Sequence, residues 1–373
     1  MAEPKSRENL STRKKLVFSA ILILGSLSLV EVIAWLSLRL AGHPTHSILI
    51  ERGREIPLVG STDLGMPRRL MRLSYLDPHF GFAHDPAKFS ELGELPGFAV
   101  YGDRADPSAL RIVALGGSTT DPFTSRGNWP KQLQRLLTEQ GTPAVVFNGG
   151  VGGRTSSQEL FKLIRDVPGL RPAIVISYNG INDLPGYSDG DHPMVHKYQI
   201  QLFSKLVTPA GVSSPVMPNL VDGLGRVFAA PSASRPAGLN LGPKVKLKAW
   251  KQWEQNIRLM RAVSTELGFE YLCYLQPTLG IGPYTPTEHE TAMLAEHGVD
   301  YVPTVELFYG QAEALAAQLL FARSLVRCFD GRSGLYSDPR HPSSEGYELV
   351  ARAILSDLKE RGLVQSPAGF GSR

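Results

Sequence analysis

Five residues in four separated segments carry the groups that attack on an ester carbonyl requires. The segments are Leu115-Gly116-Gly117-Ser118-Thr119-Thr120, Asn148-Gly149-Gly150-Val151-Gly152-Gly153-Arg154-Thr155, Tyr178-Asn179-Gly180-Ile181-Asn182-Asp183 and Asp338-Pro339-Arg340-His341-Pro342. Ser118 supplies a hydroxyl nucleophile. It needs a base, and His341 stands three residues after Asp338, a spacing that lets a carboxylate fold back on the ring, fix its tautomer and stabilise the imidazolium. The oxyanion that develops needs donors placed where charge appears. The amides of Ser118 and Gly153 and the side-chain amide of Asn182 are the candidates. Each segment also has a plainer use: Ser as a helix cap, a glycine-rich turn, an Asn/Gly turn, and a solvated loop with a capping Asp. None of these plainer uses explains why the segments fall where strands and helices end.

The elements that must position these groups follow from the apolar pattern. Ala109 to Leu115 is a continuous apolar run suited to a buried parallel strand, and it ends just before Ser118. Trp129, Leu133, Leu136 and Leu137 lie on one helical face. Ala144 to Phe147 predicts a second strand, Ser156 to Ile164 a short helix, and Ala173 to Ser177 a third strand. Trp250, Trp253, Ile257, Met260 and Val263 mark a helix, Phe269 to Leu275 a strand, and Leu307 to Leu325 another helix. A last helix from about Ser343 to Arg361 buries Tyr347, Val350, Ile354 and Leu358. Strand–helix–strand alternation implies a parallel sheet with helices on both faces. In such sheets ligands sit at the carboxyl ends of the strands, where Ser118, Gly153 and Asn182 would fall. A P-loop is excluded because no Gly-Lys-Ser/Thr follows the glycines.

In order and spacing the four blocks resemble the SGNH (GDSL-like) hydrolase superfamily over roughly residues 109 to 360. The resemblance implies a three-layer α/β/α sandwich around a central parallel sheet, flavodoxin-like in arrangement, and a serine esterase that needs no metal or organic cofactor. Carried onto this chain, it makes Ser118 the nucleophile, Gly153 and Asn182 oxyanion donors, and Asp338 and His341 the acid and base. Gly152 competes with Gly153, but Gly153 fits the N-x-G-x-x-G register better. The chain departs from the family at Gly117, where the motif usually has Asp; that bears on local hydrogen bonding more than on activity.

The N-terminus suggests where the chemistry takes place. Leu16 to Leu38 is apolar apart from Glu31 and a few Ser, Gly and Trp, and is long enough to span a bilayer. Lys5, Arg7, Arg13, Lys14 and Lys15 precede it and favour a cytoplasmic N-terminus. No A-x-A-like cleavage site follows, so an uncleaved signal anchor is the first reading and a cleaved signal peptide the second. Glu31 falls in the outer half of the span, where it reaches the interface or faces a membrane partner. The expected organisation is a cytoplasmic basic segment (1–15), a transmembrane anchor (16–40), an extracytoplasmic lead-in (41–108) with Tyr75 to Pro96 packed on the catalytic part, a hydrolase domain (109–362) and a flexible tail (363–373). Residues 185–243, rich in Pro, Gly and Ser, form an insertion after the third strand, and a long loop there is usually functional or mobile.

With 373 residues, 42% of them apolar, the chain can bury a sizeable core. The net charge of +4 is mild, and no basic stripe with interleaved aromatics points to nucleic acid. Cys273 and Cys328 match no zinc pattern; they are one disulfide or two buried thiols. His192 and His196 are four apart, but Pro193 and loop-like surroundings argue against a metal site. His79 and His84 read as structural. The expected activity is hydrolysis of ester-linked acyl groups, O-acetyl on envelope or exported carbohydrate first, a lysophospholipase-like lipid ester second, with acyl transfer on the same triad as a variant. The reading of another class is a catalytically idle module that binds glycan or scaffolds an envelope complex.

Overall fold

The computed structural model describes residues 12–41, 74–75, 83–84, 95, 97–123, 127–184, 220, 224, 243–296 and 301–364. Most of the 41–108 lead-in up to residue 96, nearly all of the 185–243 insertion, His79, His192, His196 and the tail beyond 364 lie outside them. The chain divides into two units, residues 1–66 with 201–234 and residues 67–200 with 235–373.

In the first unit α1 (Thr12–Leu40) is long and apolar enough to cross a membrane. Most of its apolar side chains, Leu16, Ile21 and Leu24 among them, are exposed, while Leu38 near its end is buried. Glu31 is buried too, and its Oε2 accepts the backbone N–H of Leu220 at 2.9 Å.

The second unit is built on a six-stranded sheet. Its strands are β3 (Ala99–Tyr101), β4 (Leu110–Gly116), β5 (Ala144–Asn148), β6 (Ile174–Asn179), β7 (Glu270–Leu275) and β8 (Ala322–Ser324), in spatial order β3-β5-β4-β6-β7-β8. All neighbours are parallel except β3, which pairs antiparallel with β5 at the edge. β1 (Ser74–Tyr75) and β2 (Ala83–His84) form a small antiparallel pair of their own. The central strands are apolar on both sides because both faces are covered. Helices α3 (Ser156–Arg165), α4 (Pro243–Leu267) and α6 (Tyr301–Ala316) cover one face, where Leu163, Trp253, Ile257, Val305 and Phe308 pack with Val113, Val175 and Tyr271. Helices α2 (Trp129–Glu139) and α7 (Ser344–Glu360) cover the other, with Leu133, Leu137, Val350 and Ile354 against Ile112, Val146 and Ile176. The three expected layers are present, around a sheet that is mostly rather than wholly parallel. A short helix, α5 (Glu288–Glu296), lies between β7 and α6.

One expected element is corrected. The helix read over Leu307 to Leu325 starts at Tyr301 and ends at Ala316, and Ala322–Ser324 is strand β8. The apolar run has no period that separates buried helix from buried strand. Pairing with β7 decides it: the Cys273 amide donates to the Phe321 carbonyl at 2.8 Å and the Leu325 amide to the Leu275 carbonyl at 2.9 Å.

Candidate active site

β4 is the point where the sheet reverses direction: β5 lies on one side of it and β6 on the other. A crevice at the carboxyl ends of the strands forms at such a switch point. Ser118 leaves the end of β4 in a turn whose Thr120 and Asp121 amides both donate to the Gly117 carbonyl at 3.0 Å. The loop after β5 is laced to β4: the Gly149 amide donates to Ala114 at 2.8 Å and the Val151 amide to Gly116 at 3.1 Å. Asn148 closes this clasp, donating from Nδ2 to the Thr120 carbonyl at 2.7 Å and accepting the Gly150 amide on Oδ1 at 3.0 Å. Gly153 turns the loop with φ +80, a conformation side chains rarely adopt. Asn182 lies in a single 3-10 turn, Ile181–Asp183, directly after β6.

Asp338 and His341 come from a third direction. β9 (Tyr336–Asp338) and β10 (His341–Pro342) pair as a tight hairpin. The Leu279 amide and the Thr278 hydroxyl, past the end of β7, both donate to the Pro339 carbonyl, at 2.9 and 2.8 Å. The hairpin is thus hung on the same end of the sheet. α7 begins immediately after it, capped by Ser343, whose Oγ accepts the Gly346 amide at 3.2 Å. The cap is Ser343, which leaves Asp338 for the histidine.

Ser118, His341 and Asp338, expected from the sequence, meet. His341 Nε2 is 2.6 Å from Ser118 Oγ, and His341 Nδ1 lies 2.7 and 2.9 Å from the two Asp338 carboxylate oxygens. Asp338 also accepts the Arg340 and His341 amides, at 2.9 and 3.1 Å. Partial burial pushes the Asp338 pKa up, but the His341 ring and these two amides outweigh it and hold the carboxyl below the usual carboxylate range. A carboxylate that stays ionised keeps the proton on Nδ1 and leaves Nε2 facing the serine.

Asn182 is buried, and its Nδ2 donates to the Arg154 carbonyl at 2.9 Å. That bond uses one of two N–H groups and ties the asparagine to the residue after Gly153. The amide packs against Gly117: a Cβ on residue 117 would stand 2.1 Å from Asn182 Nδ2. Gly152 and Gly153 differ in what their surroundings do with them, and Asp121 makes the difference at Gly152. The Gly152 amide donates to Asp121 Oδ2 at 2.7 Å, so it is aimed into the protein. The same Asp121 oxygen is 2.9 Å from His84 Nε2.

Below the crevice lies a buried polar layer that the sequence reading did not single out. Asp183 Oδ1 accepts the Ser156 amide at 3.0 Å and the Ser156 hydroxyl at 2.5 Å. Asn179 donates to Glu159 Oε2 at 2.9 Å and accepts Trp253 Nε1 at 2.8 Å. Burial, reinforced by the nearby Asp183 charge, pushes Glu159 up to about 8; burial likewise pushes Asp183 up to about 6 despite its Ser156 and Gly180 bonds. Asp183 stood in a quoted motif, but nothing local marked Glu159, which looks like an ordinary first-turn helix residue.

Among the described residues no group of three or more His, Cys, Asp or Glu is placed to hold a metal. Cys273 is buried, Cys328 half-buried, and both are free thiols.

Residues 114–349 match the model of the GDSL-like Lipase/Acylhydrolase family. The chain belongs to that family. The hydrolase is therefore an ester-bond enzyme, and the match spans all four blocks, from the last residues of β4 into α7. Solved structures of similar fold include a GDSL-like lipase from Bacteroides thetaiotaomicron VPI-5482, 14% identical, covering 74% of this chain and 100% of that one at a TM-score of 0.39. An acetyl xylan esterase, AlAXEase, is 14% identical over 66% of this chain and 99% of that one at 0.41. A mutant of an acetyl-xylooligosaccharide esterase from Geobacillus stearmophilus is 15% identical over 67% of this chain and 94% of that one at 0.38. At these scores the likenesses say nothing of substrate. A search among curated proteins finds no match.

Proposed function

We propose that the hydrolase is a serine esterase acting through Ser118, His341 and Asp338, with the Ser118 and Gly153 amides and the Asn182 side chain receiving the oxyanion. The observation that carries this is the 2.6 Å contact between Ser118 Oγ and a His341 ring already oriented by Asp338. Ser118 Oγ attacks the acyl carbonyl while its proton passes to His341 Nε2. Collapse of the tetrahedral adduct expels the alkoxide, which leaves as the alcohol by taking that proton from His341 Nε2. Water then repeats the cycle on the acyl-enzyme and returns the acid and the free hydroxyl. A catalytically idle module would have no use for a nucleophile, base and carboxylate held in this order.

The substrate proposed is an O-acyl group, O-acetyl first, on envelope or exported carbohydrate. Location supports it: α1 is a candidate membrane anchor or signal sequence, and its basic start, Arg13, Lys14 and Lys15, favours a cytoplasmic N-terminus with the catalytic unit on the far side. In that reading Glu31, hydrogen-bonded to Leu220, meets a partner within its own chain. A fluorophosphonate probe tests the chemistry. Labelling of folded protein at Ser118, lost on heating and absent in Ser118→Ala, is expected; folded protein that takes no label would defeat the enzyme reading. Release of acetate from acetylated polysaccharide, set against release of fatty acid from a lysophospholipid, tests the substrate.

A further inference from the structure

Asp121 stands three residues after Ser118, is fully buried, and ties together the two turns that approach the serine. Its own amide donates to the Gly117 carbonyl at 3.0 Å, in the Ser118 turn. Its Oδ2 accepts the amide of Gly152, the neighbour of Gly153, at 2.7 Å. Its Oδ1 accepts the Phe123 amide at 2.8 Å. His84, in β2, brings Nε2 to 2.9 Å from that same Oδ2 and is itself 3% exposed. The imidazole stands edge-on to the Phe123 ring at 4.9 Å, which fixes its plane. Phe123 thus holds both members of the pair, one through its amide and one through its ring.

We infer that His84 and Asp121 form a positioning pair that sets the Gly152–Gly153 turn for the oxyanion. Each Asp121 oxygen already accepts a backbone amide, so in the contact with His84 the ring Nε2 is the donor. Without that donor, Asp121 Oδ2 loses a contact that helps hold it on the Gly152 amide. Gly153, with a left-handed φ, then depends on fewer contacts for its direction. Displacements of about 1 Å in a catalytic constellation cost on the order of 100-fold. His84 lies outside residues 114–349, which the family model matches. The segment before the sheet therefore supplies part of the site architecture. The inference rests on the esterase reading and adds a determinant to it.

The test uses the full-length chain and a short-chain aryl ester, with kcat expressed per fluorophosphonate-titrated site. His84→Leu keeps bulk against Phe123 without the N–H; His84→Gln restores an N–H near the Nε2 position. Expected are a kcat about 10- to 100-fold down for His84→Leu with KM within about twofold, and recovery to within about threefold for His84→Gln. A purely structural His84 would lower yield and Tm and leave kcat per titrated site unchanged in His84→Leu; that result overturns the proposal. Should His84→Leu not fold, His84→Gln and Asp121→Asn carry the test. The first keeps its kcat and the second loses at least about tenfold; equal kcat in the two overturns the proposal. Ser118→Ala runs in parallel. Activity retained there defeats the esterase reading itself, whereas an inactive Ser118→Ala beside a fully active His84→Leu defeats the positioning pair alone.

Discussion

Gly117→Ala is the smallest perturbation with a large expected effect. A Cβ at 117 would lie 2.1 Å from Asn182 Nδ2 and 3.3 Å from both Asn182 Cγ and the Arg154 carbonyl oxygen. Ordinary van der Waals contact begins at 3.4 Å, so the amide must retreat by about 1.3 Å or rotate away. Either movement strains or breaks its 2.9 Å bond to Arg154. Gly117 is not among the glycines with positive φ, so alanine adds no backbone strain of its own and the effect reports the collision. Loss of one oxyanion donor costs about 100- to 1000-fold in kcat, or roughly 2.7–4 kcal/mol. We expect Gly117→Ala to lower kcat about 100-fold on a short-chain aryl ester with KM nearly unchanged. Asn182→Ala should do the same, and the double variant should be little worse than either, because both remove one interaction. Wild-type kcat in Gly117→Ala, or additive losses in the double variant, would refute the reasoning.

Ser118→Ala and His341→Ala should each nearly abolish turnover, with the double variant no worse than the singles, since nucleophile and base act as a unit; steady-state rates check this. Glu159, pushed up from 4.5 to about 8 by burial, contributes stability that is complete below about pH 4.5 and lost as pH rises through about 8. Glu159→Gln stays neutral, so its Tm minus that of the parent should grow between about pH 5 and about pH 9 by thermal melts; a pH-independent difference would show that Glu159 does not titrate as placed. Full-length protein should resist alkaline carbonate extraction, and protease outside the inner membrane should reach the catalytic unit; extraction, or protection in spheroplasts, would sink the anchor and weaken the carbohydrate proposal.

Much of this hydrolase is legible in its sequence because its chemistry is carried by short local segments. A glycine turn at the end of a buried strand needs no partner to be recognised, and Asp338 and His341 are three residues apart, so one tight hairpin joins them. The same holds for β4 to β7 and for α2 and α7, whose apolar periods match one face of the core. The edge strands were not legible: β8 reads as helix because its apolar run has no period, and β3 is three residues of an irregular lead-in. Only long-range pairing, with β7 and β5, makes them strands. His84 and Glu159 belong to the same class. A histidine 37 positions before its carboxylate, or a helix glutamate whose carboxyl is buried in the folded protein, carries no local mark. The sequence alone named the groups, Ser118, Asp338 and His341, that the fold brings together. Packing decided which groups hold them, because burial and hydrogen bonding across distant segments exist only once the chain has folded.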